Sequence, residues 1–342
     1  MRVLYVITAH FQAYGGPYKA ISDQLYHLKK YISFKLIYRT NSSFKYNLNF
    51  FATMKNYDVV HIYGLWSPFL VKAFLVAKFL KKKIIISPIG TLEPWSLKQK
   101  IIKKKLAWFF YQKKILQNAD VIHATSDIES ESIKKLGIKT KILVIPHGIN
   151  IQSEEIKNIK RTKTILFFSR IHKKKGLLEL LEAWKKTKNK NNWKLHVYGP
   201  VSDQKYFKSF LENINTLGLN KEVFYKGSIY GDKAKNVVFR EAGAFILPSK
   251  SENFGISIGE ALALKLPVLT TTVTPWEIIN DYKAGYVFEF SIKNIKNALE
   301  EFINLSPLKK TLMGNNAKKL IKDHYLYETI IKKYHKLYKS LI

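Results

Sequence analysis

Short apolar runs rich in Val, Ile and Tyr alternate along this chain with longer stretches whose apolar positions recur at helical spacing. In the first half the runs predict strands near residues 2–8, 34–38, 58–63, 83–87 and 120–124. Helices are predicted between them, including 17–31, 68–80, 98–117 and 127–136. The last is punctuated at both ends: Ser126 and Asp127 open it ahead of Glu129, and Gly137 stops it. The second half repeats the alternation, with strands near 164–168, 194–198, 223–226, 244–247 and 267–271.

Alternating strand and helix units imply parallel sheets covered by helices, an α/β fold. Two such sets imply two Rossmann-like, doubly wound domains, and 342 residues suit two domains of roughly 150 each. The boundary falls after Pro146-His147-Gly148-Ile149, because residues 150–163 are polar and without period. The reading is an N-terminal domain over 1–150, a C-terminal domain over 151–325, and a further helix over 326–342. That helix has two options, the second domain or a return to the first. Ligands of such folds bind outside the carboxyl ends of the strands, so two facing domains would place a site in a central cleft.

Composition narrows the chemistry. The chain has no cysteine, which excludes a disulfide framework, a thiolate zinc site and a cysteine nucleophile, and fits a reducing compartment such as the cytoplasm. The opening stretch reads as a strand and not as a signal peptide, since its apolar run is short and His10, Gln12 and Tyr14 follow. No apolar run is long enough to span a bilayer; the best, 69–80, carries Lys72 and Lys78. Net charge is +33, divided into about +17 over residues 1–150 and about +16 after them. Such a surface attracts polyanions: nucleic acid, an anionic membrane face or an anionic substrate. Lysine-, asparagine- and isoleucine-rich usage is also what an AT-biased genome produces.

The most informative stretch runs from Leu247 to Ala263. A strand ends at Leu247, a polar loop carries Glu252, and a helix containing Glu260 opens near Gly255. Gly255 permits close approach of a ligand to the backbone, and free N–H groups at a helix start form an anion site. A capped helix with two solvated glutamates would explain either carboxylate alone. The whole string, however, resembles the E-x7-E motif of glycosyltransferase family 4, retaining enzymes of the GT-B fold. Glu252 and Glu260 stand at the motif positions with seven residues between them; Pro248-Ser249, Phe254-Gly255, Glu260-Ala261 and Leu266-Pro267-Val268 match the flanks. The resemblance implies that Glu252 lies beside the transferred sugar and that Glu260 binds the nucleotide ribose. The backbone of Asn253, Phe254, Gly255 and Ile256 would reach sugar and diphosphate.

A second signal, Phe167-Phe168-Ser169-Arg170-Ile171-His172-Lys173-Lys174-Lys175-Gly176, follows the first strand of the second domain. In a chain this rich in lysine such a run is usually a solvated turn. Its position resembles the family's Arg plus Lys-Gly pair, which implies that Arg170 and Lys175 neutralise the leaving diphosphate. That role would make a metal unnecessary, and the sequence has no HxH or DxD pair. No cofactor is expected beyond a nucleotide-diphosphate sugar as co-substrate. Gly15-Gly16-Pro17, a plain turn by itself, resembles the family's N-terminal glycine loop, placing Gly15 and Gly16 near the donor phosphate on closure.

On the acceptor side the candidates are His61, Trp66 and Thr91, in loops or strand ends of the first domain. His61 is equally readable as a satisfied core histidine. The loop Ser87-Pro88-Ile89-Gly90-Thr91 resembles a subset of the family acting in bacterial surface-polysaccharide assembly, but lacks the histidine many relatives carry there. His147 takes a place often held by Asn. The implied activity is transfer of a hexose-type sugar to a glycan or lipid-linked acceptor. The rivals are an inverting transferase or a nucleotide-sugar epimerase on the same fold and, on charge alone, a polyanion-binding protein. No nucleic-acid module is visible.

Residues 98–116 form a basic amphipathic pattern. Ile101, Ile102, Trp108, Phe109, Ile115 and Leu116 fall on one face and Lys100, Lys103, Lys104 and Lys114 opposite. The pattern fits a core-packed helix with a solvated basic back, the expectation adopted, or a helix lying on an anionic bilayer at the inner face of the cytoplasmic membrane.

Overall fold

The computed structural model describes residues 1–8, 16–38, 46–151 and 161–342. They form two compact units. One comprises Met1–Gly148 with Tyr327–Ile342, and the other Ile149–Leu326.

The first unit holds β1 (Arg2–Ile7), β2 (Ser33–Tyr38), β3 (Val59–Tyr63), β4 (Lys83–Ser87), β5 (Val121–Ala124) and β6 (Ile142–Val144). They pair in parallel in the order β2-β1-β3-β4-β5-β6. The strand order reverses between β1 and β3. β3 is buried along its whole length, as a parallel strand covered on both faces must be. The short edge strand β6 is absent from the sequence reading.

The helix Tyr327–Lys339 packs on this unit, where Tyr327, Ile330, Ile331, Tyr334, Leu337 and Tyr338 join Val3, Tyr5, Ile21, Leu25 and Ile85 in one buried cluster. A chain of polar contacts runs through it. His123 Nε2 lies 2.8 Å from Ile145 O, which can only accept, so this nitrogen carries the proton. In the neutral ring Nδ1 is then the acceptor, and Ser87 Oγ, 2.7 Å away, donates to it. His61 Nε2 then donates to Ser87 Oγ at 2.7 Å, and His61 Nδ1 accepts from the Tyr338 hydroxyl at 2.8 Å. Tyr338 in turn accepts from the Tyr5 hydroxyl at 2.5 Å. This directionality belongs to neutral imidazoles. Burial acts in the same sense: it lowers the pKa of His61 well below the ordinary value and that of His123 to about 4.

The expected single helix over 98–117 is divided into Ile101–Ala107, a π-helical turn Trp108–Gln112, and Lys113–Gln117. Its apolar face does not all meet the core. Ile115 and Leu116 are buried, whereas Ile101, Ile102 and Phe109 are exposed.

The second unit holds β7 (Thr164–Phe168), β8 (Lys194–Tyr198), β9 (Val223–Tyr225), β10 (Ala244–Leu247), β11 (Val268–Thr271) and β12 (Gly285–Phe288). All pair in parallel in the order β12-β11-β10-β7-β8-β9, with the reversal between β7 and β10. The edge strand β12 again lies outside the sequence reading. Ile149 opens the unit: its N–H donates to Tyr325 O at 2.7 Å, and it bridges Leu326 in parallel.

Candidate functional site

In a doubly wound sheet the crevice for a ligand lies where the strand order reverses, beyond the carboxyl ends of the strands. In the second unit those ends are Phe168 and Leu247, and the loops that follow them carry the two motifs. A main-chain hydrogen bond from Lys250 N to Lys174 O, 2.8 Å long, ties the loops together. Gly176 fits against Pro248 with φ of 69°, where a Cβ would stand 2.1 Å from the Pro248 carbonyl oxygen.

Lys175 and Glu252, distant in sequence, form an ion pair through Lys175 Nζ and Glu252 Oε2. Ser249 Oγ donates to the same carboxylate oxygen at 3.2 Å. Only about a tenth of either charged side chain is exposed (10% and 12%). Burial alone would raise the Glu252 carboxyl pKa. The charges of Lys175 and Lys174 and the hydrogen bonds from Lys175 and Ser249 outweigh it, holding the group below the usual carboxylate range. Arg170 projects from the same loop and is exposed. His172 caps the short turn Lys173–Lys175, its ring accepting from Lys174 N at 3.1 Å.

The loop after β10 is fixed from below. Thr270 Oγ1 donates to Leu247 O at 2.9 Å, Thr271 Oγ1 donates to Ser249 O at 2.7 Å, and the Trp276 indole N–H donates to Phe254 O. Asn253 and Phe254 lead to Gly255, whose φ of 76° turns the chain into the helix Ile256–Ala263. A Cβ there would approach Ile258 Cδ1 to 2.9 Å. The helix therefore begins at a fixed point beside Glu252, with its first N–H groups free of intrahelical partners. Glu260 lies on this helix, and Lys235 Nζ of the helix Asp232–Glu241 stands 2.5 Å from its Oε1. Nothing in the sequence marked Lys235, one basic residue among 58.

The first-unit candidates are differently placed. His61 is fully buried, with both ring nitrogens engaged within the core, so the acceptor-side reading of His61 is corrected. Trp66 follows β3 with φ of 68°; its N–H donates to Gln112 Oε1 at 3.2 Å, and Lys104 Nζ lies 5.5 Å from its ring. Thr91 Oγ1 donates to Pro88 O at 2.8 Å, closing the loop after β4. Beneath this loop the buried Glu129 accepts from Gly90 N at 2.6 Å, Thr125 N at 2.8 Å and Thr125 Oγ1 at 2.9 Å. Burial, helped by the nearby Glu93 charge and opposed by these hydrogen bonds, raises its pKa to about 7. In sequence Glu129 read only as part of a helix start. Gly15 lies outside the described residues, and Gly16 is the first residue of the helix Gly16–Leu28. Burial takes the His147 pKa down to about 3. Among the described residues no three His, Asp or Glu side chains group as a metal site.

Comparison with known proteins places the chain in a family. The model of Glycosyl transferases group 1 matches residues 149–320, and that of Glycosyltransferase Family 4 matches residues 3–153. An uncharacterized glycosyltransferase of Methanocaldococcus jannaschii is 28% identical over 58% of this chain, and the match spans only 54% of that relative's length. The capsular polysaccharide biosynthesis glycosyltransferase CapM of Staphylococcus aureus is 26% identical over 65% of this chain and 62% of its own. Among solved structures, Anabaena HepE in complex with UDP and glucose superposes with a TM-score of 0.81 at 16% identity, covering 99% of this chain and 100% of that one. The lipopolysaccharide outer core galactosyltransferase WaaB, in its apo form, gives 0.69 at 16% identity over the full length of both chains. Both structural likenesses show the GT-B fold. With group 1 matched over half of its length and family 4 over most of the remainder, the chain belongs to the group 1 and family 4 glycosyltransferases.

Proposed function

We propose that this chain moves a hexose-type sugar from a nucleoside-diphosphate sugar to a hydroxyl of a glycan or lipid-linked acceptor, with retention of anomeric configuration, in surface-polysaccharide or lipopolysaccharide synthesis. The observation that carries this reading is the Lys175–Glu252 pair at the reversal of the second sheet, beside the helix start at Gly255. A cation, a carboxylate and free backbone N–H groups within one rigid pair of loops suit a sugar diphosphate better than either half alone. Glycosyltransferases solved with UDP or UDP-glucose share the fold.

In this reading Arg170, Lys175 and the N–H groups at the start of the helix Ile256–Ala263 hold the diphosphate and neutralise it as it leaves. Asn253, Phe254, Gly255 and Ile256 present their backbone to sugar and phosphate, and Glu260 accepts from the ribose hydroxyls. The sugar–phosphate bond breaks through an oxocarbenium-like state. The acceptor hydroxyl attacks from the face the phosphate leaves, and the phosphate takes its proton. Glu252 orients the sugar and stabilises its developing positive charge. Trp66 and Thr91 are assigned to the acceptor. No metal is needed where lysine and arginine supply the charge. A lipid-linked acceptor would be met at an anionic membrane face. No helix among the described residues is long and apolar enough to cross a membrane.

The test is a binding and turnover screen of UDP-, GDP-, ADP- and TDP-sugars in the presence of a chelator, with wild type and Glu260→Ala. One donor bound by wild type and lost in the variant supports the donor site; indifference to every donor overturns it. Proton NMR of the product then separates retention from inversion.

A further inference from the structure

We infer that the segment from Ile101 to Phe110 is a docking surface for an anionic lipid bilayer. Ile102, Leu106, Phe109 and Phe110 are 73%, 54%, 78% and 66% exposed. Their spacing of four, three and one puts them on one side of the helix, and that side faces solvent. The opposite side anchors the segment: Gln112, Ile115 and Leu116 are buried, Trp108 lies against Trp66 with ring centroids 6.4 Å apart, and Lys104 Nζ donates to Ser96 O at 2.5 Å. The π-helical turn at Trp108–Gln112 shifts the register between the exposed stripe and the buried residues that follow. The stripe is therefore held outward by the fold.

Charge selects the occupant. From Pro94 to Ala119 the chain carries seven lysines and no acidic residue. Lys98, Lys100, Lys103, Lys105 and Lys114 are exposed around the stripe. A second copy of this surface would set lysine against lysine, which disfavours self-association. A polyanion without an apolar phase, such as nucleic acid, leaves two phenylalanines in water. An anionic bilayer satisfies both features, with aliphatic and phenyl groups at the acyl boundary and ammonium groups among the lipid phosphates. The inference stands on this surface alone, and its readout is independent of the donor site.

The experiment is co-sedimentation of the full chain with vesicles of phosphatidylcholine alone or mixed equally with phosphatidylglycerol, at physiological salt. The chain is expected on the mixed vesicles and not on the neutral ones. Ile102→Ser, Phe109→Ser and Phe110→Ser together should weaken partitioning about tenfold or more, and Lys103→Glu, Lys105→Glu and Lys114→Glu together about a hundredfold. All six are exposed side chains, and unchanged melting of both variants shows that the fold persists. Absence of wild-type binding overturns the proposal. So does a serine variant that binds like wild type, which would mean attraction by charge alone. Wild-type dimers that become monomers in the serine variant, without vesicle binding, would assign the surface to self-association instead.

Discussion

Lys235 Nζ donates to Glu260 Oε1 across 2.5 Å, joining the helices Asp232–Glu241 and Ile256–Ala263. Lys235 also lies 3.2 Å from Asp232 Oδ1, and its side chain is only 11% exposed. The pair holds the Glu260 carboxylate in one orientation. Glu260→Ala is expected to raise the donor KM about 10- to 100-fold with little change in kcat, the signature of lost uniform binding. Lys235→Ala should move KM in the same direction by a smaller factor. Steady-state kinetics check both; a kcat effect without a KM effect would remove Glu260 from the ribose.

The Lys175–Glu252 pair makes a sharper demand because both side chains are nearly buried. Glu252→Ala strands the ammonium group, which should cost about 3 kcal/mol of stability by urea denaturation. It should lower kcat by about 100- to 1,000-fold, with nucleotide affinity much less affected. The double variant Lys175→Met with Glu252→Gln should recover much of the stability and none of the activity. Recovery of both would make the pair structural only.

How much of this was legible in the sequence depends on where each contact is made. The central strands were readable because parallel strands buried on both faces are apolar runs. The edge strands β6 and β12 were not read, although β9, an edge strand of three residues, was. Glu252 was recognisable from its motif. Its contact with Lys175, 77 residues away, is created by the pairing of β7 with β10, which no local spacing reports. Lys235 stayed hidden for the same reason. His61 read equally as a ligand contact or a core histidine, and only its partners Ser87 and Tyr338, 26 and 277 residues away, decide for the core. Periodicity found the amphipathic helix at 98–116, but the side facing the core is decided by Trp108, Gln112, Ile115 and Leu116 around a π-helical turn.

Tyr338 carries the C-terminal helix's share of the buried network, accepting from Tyr5 and donating to His61. Tyr338→Phe keeps the ring packing and removes both bonds. His61 Nδ1 would lose its donor in a fully buried site, so a loss of about 1–3 kcal/mol is expected by urea denaturation. His61→Phe combined with Tyr338→Phe should cost less than the sum of the single variants, because the partners share the loss. Strict additivity would mean that the two side chains are not coupled.

Glu129 gives the first unit a pH dependence opposite to that of its histidines. Its pKa is raised to about 7 from the ordinary 4.5, so the folded chain holds a proton that the unfolded chain releases. That contribution to stability is complete below about pH 4.5 and disappears as pH rises through about 7. His61, His123 and His147, with pKa values lowered by burial, act the other way and weaken the fold as pH falls below about 6.5. Glu129→Gln removes the titration at every pH and leaves the histidines in place; the acceptor it loses shifts stability by an amount that does not vary with pH. The stability of wild type relative to this variant should therefore fall between about pH 5 and about pH 8, by an amount of order 3 kcal/mol. Urea denaturation across that range measures the difference, and parallel curves would show that Glu129 does not titrate there. Because Glu129 accepts from Gly90 N, the same ionisation reaches the loop that carries Thr91, and acceptor KM should follow the same midpoint in wild type but not in the variant.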